Sequence, residues 1–377
     1  MPNMLTGKPQ LSRVVNRQLV LERIRKNGAV SRAELAELTR IRPPTVGAVV
    51  NQLLDEGLVE EIGAGKTRGG RAPRMVALRR GVAQALGFEI TETAILAGVC
   101  DLSGSLLAQI REPFSPAMPE RTLDRVDDIR KQILTEMGIE QSEMLGVGVA
   151  LPGDVHGAEG IVRWSKPFDW HDVHFREMCE ARWQTTTDVV NDSLAGGMAA
   201  SFLGGARGIK SLVFLNLRFM DASHGVVGIG AGIIVNGEPY HGEFGAAGEI
   251  TVPIVHPAVR AQGSGPEGGL DVAGFIGDVE SQDPKAVAAL NRTISDLSTL
   301  VVHTINLLEP GLLVIGSDVA AFQAMIMERL GKILEQHKLS CSPGTTRLVP
   351  STLGEYGIVC GAVVPTLQRV FRLPRWS

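Results

Sequence analysis

A chain of 377 residues, 44% hydrophobic and 21% charged, has room for two or three domains at roughly 150 residues each. It is too apolar for wholesale disorder or a fibrous repeat. No stretch approaches the roughly 18 consecutive apolar residues of a membrane span, and Met1–Arg13 lacks the apolar core of a secretory signal, so the expectation is a cytoplasmic protein.

The net charge of -4 divides unevenly. Residues 1–80 carry 15 Lys+Arg against 7 Asp+Glu, which leaves 22 against 34 for the rest, out of totals of 37 and 41. A basic head on an acidic body points to a polyanionic partner for the head. Four widely spaced cysteines, Cys100, Cys179, Cys341 and Cys360, form no Cys-x-x-Cys pair and read as buried reduced thiols.

In the head, Asn16–Asn27 places Leu19, Val20 and Ile24 on one helical face, and Gly28 stops it. Ser31 followed by Glu34 reads as a capping box for a second helix carrying Leu35 and Leu38. Arg42-Pro43-Pro44 starts a third, whose buried stripe is Val46, Val49, Val50, Leu53 and Leu54. Two short helices joined by a tight turn make a helix-turn-helix. Strand-like runs at Leu58–Ile62 and Met75–Leu78 then bracket a tip, residues 66–74, with four basic groups and no acidic one.

This order reads as a winged helix-turn-helix bound to double-stranded DNA. Arg42, Pro43, Thr45, Ala48, Asn51 and Gln52 point away from the buried stripe and would meet base edges in the major groove: Arg42 suits guanine, Asn51 or Gln52 adenine. Asn51 and Gln52 read equally as an ordinary solvated helix face. Arg32 and Arg40 are expected on phosphates, and Lys66, Arg68, Arg71 and Arg74 at the wing, where arginines enter a narrow minor groove.

From residue 81 strand and helix patterns alternate, which argues for an α/β body. Strands are predicted at Ala85–Ile90, Ala94–Cys100, Leu145–Leu151, Asp188–Val190, Ser211–Leu217, Gly230–Val235 and Leu312–Ile315, with a hairpin turn at Asp101–Gly104. Helices are predicted over 122–138, 192–204, 285–308, 318–336 and 357–371.

The ordered motifs resemble one family. They are Leu86-Gly87-Phe88-Glu89-Ile90 with Asp101-x-x-Gly104, Gly146–Gly153, Val190-Asn191-Asp192, Gly228–Gly237 and Gly245-Ala246-Ala247-Gly248-Glu249-Ile250. The chain resembles the ROK family (repressors, open reading frames, sugar kinases), in the DNA-binding branch of xylose- and N-acetylglucosamine-type repressors. That resemblance implies a two-lobed, actin-like (ribonuclease-H-like) body of sugar-kinase type behind the winged head. The boundaries drawn are 1–80 for the head, 81–190 plus 362–377 for the first lobe, and 191–361 for the second lobe, with the effector cleft between the lobes.

The resemblance also assigns site residues. Asn191 and Asp192 match the family's sugar-binding Asn-Asp, whose Asp is the general base in the kinases, and Asn191-Asp192-Ser193 also reads as a helix N-cap. Glu249 matches the Glu that grips the sugar ring, and Gly153 ends the preceding glycine-rich strand beside them.

Departures weigh against catalysis. The kinases' Asp-x-Gly-Gly-Thr phosphate hairpin is here Glu89-Ile90-Thr91-Glu92-Thr93, without either glycine and with an added carboxylate. The family's zinc histidine falls at Val252 and its three cysteines at Gln262, Ser264 and Gly269, leaving His256 alone nearby. The glycines of 228–232 then read as close packing at a strand-to-strand turn, and the usual sugar-closing asparagine is replaced near Lys166-Pro167.

The expectation is therefore a sugar-responsive transcriptional repressor with no catalytic residues, no ATP, no zinc or other metal site and no membrane contact, working as a homodimer or homotetramer on an operator. The alternatives are a ROK sugar kinase with a DNA-binding head, or a repressor controlled by a protein partner.

Overall fold

Three helices and three short strands open the chain: α1 (Pro9–Asn27), β1 (Val30–Ser31), α2 (Arg32–Thr39), α3 (Pro43–Asp55), β2 (Val59–Ala64) and β3 (Arg74–Leu78). The strands pair antiparallel in the order β1-β3-β2. The computed structural model describes residues 9–65, 72–203, 206, 209–220, 226–255, 272–317, 319–337 and 346–371.

The capping box is present: the Glu34 amide donates to Ser31 Oγ and the Ser31 amide to Glu34 Oε2, satisfying two otherwise orphaned donors. α2 ends at Arg40, which takes the left-handed conformation (φ 57°) usually left to glycine. Pro43 and Pro44 fill the first turn of α3, where a missing amide costs nothing. Its stripe of Val46, Val49, Val50 and Leu53 packs with Val20, Leu21 and Ile24 of α1 and Leu35 of α2. α1 extends upstream of the predicted Asn16, as far as the first described residue, Pro9.

The body continues with β4 (Ala85–Ile90), β5 (Ala94–Cys100), β6 (Leu106–Pro113), α4 (Pro119–Met137), β7 (Val147–Leu151), β8 (Asp154–His156), β9 (Ile161–Ser165), β10 (Trp170–Val173), α5 (Phe175–Trp183) and β11 (Thr187–Asn191). Its first sheet runs β11-β7-β4-β5-β6, with β4, β7 and β11 parallel and β4-β5-β6 an antiparallel meander. Every residue of β4, β5 and β7 is buried, the signature of strands covered on both faces. Leu123, Val126 and Ile129 of α4 and Phe175 and Trp183 of α5 share a core with Phe88 and Val149. Strands β8, β9 and β10 form a separate antiparallel sheet.

The remainder comprises α6 (Asp192–Phe202), β12 (Leu212–Met220), β13 (Val226–Val235), β14 (Glu238–Pro239), β15 (Glu249–Val255), α7 (Val272–Glu280), α8 (Pro284–Leu308), β16 (Leu312–Ser317), α9 (Ala320–His337), β17 (Arg347–Pro350), α10 (Gly357–Ala362) and α11 (Val364–Phe371). The second sheet runs β14-β13-β12-β16-β17, with β15 also paired to β13. α7, α8 and α9 pack into one core with it through residues such as Phe275, Leu290 and Phe322, whereas α6 packs into another through Leu194, Ala195 and Met198.

α6 and α10 touch almost backbone to backbone. A Cβ on Gly361 would stand 2.0 Å from the Ala195 carbonyl oxygen, and one on Gly148 of β7 2.0 Å from that of Ala362. The single helix predicted over 357–371 is two, divided at Val363, since Pro365 has no amide to continue the ladder.

The core of the opening helices does not close at residue 80. Val20, Leu21 and Ile24 share it with Ala85, Cys100, Leu102, Val363, Leu367 and Phe371. Among the described residues no helix is long and apolar enough to cross a membrane.

Candidate functional site

Asn191 stands at the junction of β11 and α6 and works in two directions. Its Oδ1 caps α6 by accepting from the Leu194 amide at 3.0 Å. Its Nδ2 donates to the Gly153 carbonyl and to Glu249 Oε1, both at 3.0 Å. Three of the four residues predicted for the effector site therefore meet.

Gly153 (φ 116°) tolerates no side chain, because a Cβ would lie 2.4 Å from the Trp164 carbonyl oxygen. Gly248 (φ 95°) brings Glu249 in just as closely, its Cβ position 1.9 Å from the Ala231 carbonyl oxygen. Glu249 keeps surface open to solvent, yet removal of its carboxyl group from water, together with the charges of Asp192 and Asp154, pushes its pKa up to about 7. Asp154 Oδ1 and Ser165 Oγ are both buried without a hydrogen-bond partner among the described residues.

Asp192 differs from expectation. It is 4% exposed, and its carboxylate is engaged within the chain rather than offered to a ligand. Oδ1 accepts from the Ser193 amide (2.6 Å) and hydroxyl (3.1 Å), while Oδ2 sits 3.0 Å from Arg218 Nε. Arg218 Nη2 also donates to Glu89 Oε1, so one guanidinium from β12 bridges a carboxylate of β4 and the first residue of α6. Charges this deep persist only when paired. Arg218 was missed from sequence, although an arginine inside the apolar run Leu212-Val-Phe-Leu-Asn-Leu-Arg218 demands a buried partner.

The 91–93 turn between β4 and β5 is closed by Thr91, whose Oγ1 accepts from the Thr93 and Ala94 amides. The glycines of 228–232 lie inside β13, not at a turn as predicted. Cβ atoms on Gly230 and Gly232 would fall 2.0 Å from Ser193 Oγ and Ser193 O, so the glycines seat the start of α6 on the sheet.

On α3, Arg42, Pro43, Ala48, Asn51 and Gln52 are exposed and Thr45 partly so. Two of these side chains have partners: Asn51 Oδ1 accepts from Arg32 Nη2 at 2.9 Å, and Gln52 donates to Glu56 at 2.8 Å. Arg32 and Arg74 flank Glu61 at 3.2 and 2.7 Å, and Arg40 is exposed. Lys66, Arg68 and Arg71 lie outside the described residues.

Behind this surface, Arg25 of α1 stacks its guanidinium on Phe202 of α6, 3.9 Å from the ring centroid, with Phe371 of α11 at 5.3 Å. It also donates to the Phe202 carbonyl at 3.2 Å.

Residues 85–259 and 254–368 match the profile of the ROK family. The chain belongs to the ROK family. A xylose repressor of Bacillus subtilis (strain 168) is 28% identical over 236 residues, 63% of this ROK chain and 59% of the relative, so the match spans less than two thirds of the relative's length. The putative xylose repressor of Caldicellulosiruptor sp. (strain Rt8B.4) is 22% identical over 98% of this chain and 99% of its own. The Escherichia coli (strain K12) DNA-binding transcriptional dual regulator NagC is 25% identical over 67% and 60%.

Among solved structures, a ROK family transcriptional regulator described as a homologue of E. coli MLC superposes with a TM-score of 0.72 at 17% identity, covering 94% of this chain and 96% of that one. A ROK glucokinase of Streptomyces griseus, in complex with glucose and AMPPNP, gives 0.62 at 19%, covering 74% and 97%. These likenesses establish the mixed α/β, actin-like ROK fold.

For the ROK zinc site, His256, Gln262, Ser264 and Gly269 lie outside the described residues, and Val252 falls in β15. Among the described residues no group of three or more His, Cys, Asp or Glu is placed to hold a metal. Cys100, Cys179 and Cys360 are free and buried, while Cys341 is not described. Two thiols far apart in sequence meet, with Cys100 Sγ 3.6 Å from Cys360 Sγ. His241, near His156, has its pKa lowered by burial and by that neighbour.

Proposed function

We propose that this ROK protein is a sugar-responsive transcriptional repressor, cytoplasmic and without enzymatic activity, that binds an operator as a homodimer or homotetramer. Residues 1–80 form its winged helix-turn-helix head. Residues 81–190 with 362–377 form one lobe of the sensor body and 191–361 the other. α3 enters the major groove with Arg42, Thr45, Ala48, Asn51 and Gln52 toward the bases. Arg32, Arg40, Arg74 and the wing residues Lys66, Arg68 and Arg71 bind the backbone and the minor groove. One such head covers too little duplex for tight specific binding, hence the oligomer.

The observation that carries this reading is that a basic three-helix head shares one apolar core with a body in which Asn191 joins Gly153 to Glu249. An amide and a carboxyl side by side both donate to and accept from adjacent sugar hydroxyls. A sugar there competes for Asn191 Nδ2 and Glu249. It acts on the DNA complex only insofar as it favours one arrangement of the lobes.

The nucleotide hairpin of the related kinases does not fit here. Its turn is closed by Thr91, and Glu89 is held by Arg218, so no phosphoryl step enters the proposal; nor does zinc, since Val252, Gln262, Ser264 and Gly269 carry neither thiolate nor imidazole. The test is a gel-shift titration on duplexes from the gene's own neighbourhood, with and without a sugar panel, beside an ATP-coupled kinase assay. Specific binding weakened at least about tenfold by one sugar supports the proposal, that change being the usual size of an allosteric coupling. No duplex binding, or turnover of ATP with any sugar, overturns it.

A further inference from the structure

Two exposed aromatic residues lie on segments next to the Asn191–Glu249 pair: the Trp164 carbonyl oxygen is 2.4 Å from the Cβ position of Gly153, and Phe244 is on the segment that leads to Glu249. Trp164 is 47% exposed and Phe244 74%. Trp164 pairs across β8–β9 with Asp154, next to a shift of register between Asp154 and Val155. Asp154 in turn directly follows Gly153, whose carbonyl accepts from the same Asn191 Nδ2 that donates to Glu249. Gly153, Asp154 and the paired Trp164 therefore lead away from Asn191 on one side, as Glu249 does on the other.

Phe244 is tied to the same place. Arg163, adjacent to Trp164, donates from Nη1 to the Phe244 carbonyl at 2.5 Å. The same segment lies against β8, where a Cβ on Gly245 would be 3.1 Å from His156 Cδ2.

Two polar atoms on the residues paired with or adjacent to Trp164 have no hydrogen-bond partner among the described residues. One is Asp154 Oδ1; the other is Ser165 Oγ, on a residue that is 0% exposed and whose Cβ lies 3.1 Å from the Cβ position of Gly153. A buried acceptor or hydroxyl left unsatisfied is costly, so a ligand group that meets the Asp154 carboxylate once that half-buried side chain turns outward gains affinity. Exposed aromatic faces beside unsatisfied polar atoms match the two surfaces of a pyranose ring, apolar C–H faces and a hydroxyl edge.

We propose that Trp164, Phe244 and Asp154 form a second sugar subsite, and that the effector is accordingly a disaccharide or longer saccharide. Its terminal ring lies at Asn191 and Glu249, and its next ring stacks on Trp164 with a hydroxyl on Asp154. This inference rests on the sugar-sensing reading above and adds the length of the ligand to it.

The test is calorimetric titration of the full chain with a set of monosaccharides and their α- and β-1,4-linked disaccharides, repeated on Trp164→Ala, Trp164→Tyr, Phe244→Ala and Glu249→Gln. One disaccharide should bind about tenfold more tightly than its monosaccharide, the worth of one good stacking contact. Trp164→Ala should abolish that gain while leaving monosaccharide affinity within about twofold, and Trp164→Tyr should restore most of it. Glu249→Gln should weaken both ligands. Equal affinity for both lengths, or an equal loss of both in Trp164→Ala, overturns the subsite and leaves the sensor reading standing. If no saccharide of either length binds, both fall together.

Discussion

Replacing Arg218 with methionine is expected to cost about 4 kcal/mol of stability near pH 8, within the range for removing one partner from a buried ion pair. The side chains of Arg218, Glu89 and Asp192 are 12%, 5% and 5% exposed, and a single guanidinium serves both carboxylates. Methionine roughly keeps the volume, so the loss reports charge left without compensation rather than a cavity. The two carboxylates share one cation, so the cost stays below twice that of a single pair.

Stranded carboxyl groups have folded-state pKa values above their unfolded ones. Their penalty is present above the folded pKa and vanishes below the unfolded one, so the deficit should shrink as pH falls to about 5. Urea unfolding at both pH values measures it. The triple variant Glu89→Gln, Asp192→Asn, Arg218→Met should recover most of the loss, because the three charges of the cluster are then removed together. A deficit under about 1 kcal/mol at pH 8, or one indifferent to pH, would refute the buried cluster.

Four other outcomes are expected. Glu249 has a raised folded pKa, about 7, so the wild-type melting temperature should rise relative to Glu249→Gln as pH falls from about 8 to 6, and parallel curves would contradict it. Arg25→Ala should lose about 2 kcal/mol through the Phe202 stack and carbonyl bond, and Arg25→Lys should rescue little because an ammonium lacks the planar face. Gly361→Ala should destabilise by about 3 kcal/mol against the Ala195 backbone, whereas Gly331→Ala in α9, with nothing within 4 Å, should stabilise by about 0.5–1 kcal/mol. Elemental analysis should find no stoichiometric zinc, and one zinc per chain would disprove the substitution of ligands at Val252, Gln262, Ser264 and Gly269.

Local signals carried most of the secondary structure. Ser31 with Glu34 and the paired prolines before Val46 announce two helices because capping and first-turn chemistry act within four residues. The strands β8, β9 and β10 were not anticipated, being too short for a period-two pattern to emerge. The meeting of Asn191, Gly153 and Glu249 was legible only because the family motifs carry it. The Glu89–Arg218 bond, spanning 129 positions, was not, since no local rule states which buried acid a strand arginine will find. Nor did a charge boundary near residue 80 reveal that apolar side chains from both sides of it interleave.

Helix α6 is held at both extremities by different parts of the molecule: Asn191 and Asp192 at its start, and the Phe202 ring and carbonyl under Arg25 at its finish. Eleven residues make a column about 16 Å long that is far stiffer along its axis than any loop. With Gly361 pressed on its flank it has little freedom to bend, so its two ends are tied to each other more stiffly than a loop would tie them. The helix thus works as a strut, with the carboxylate of Asp192 at one end and the underside of the basic helices at the other.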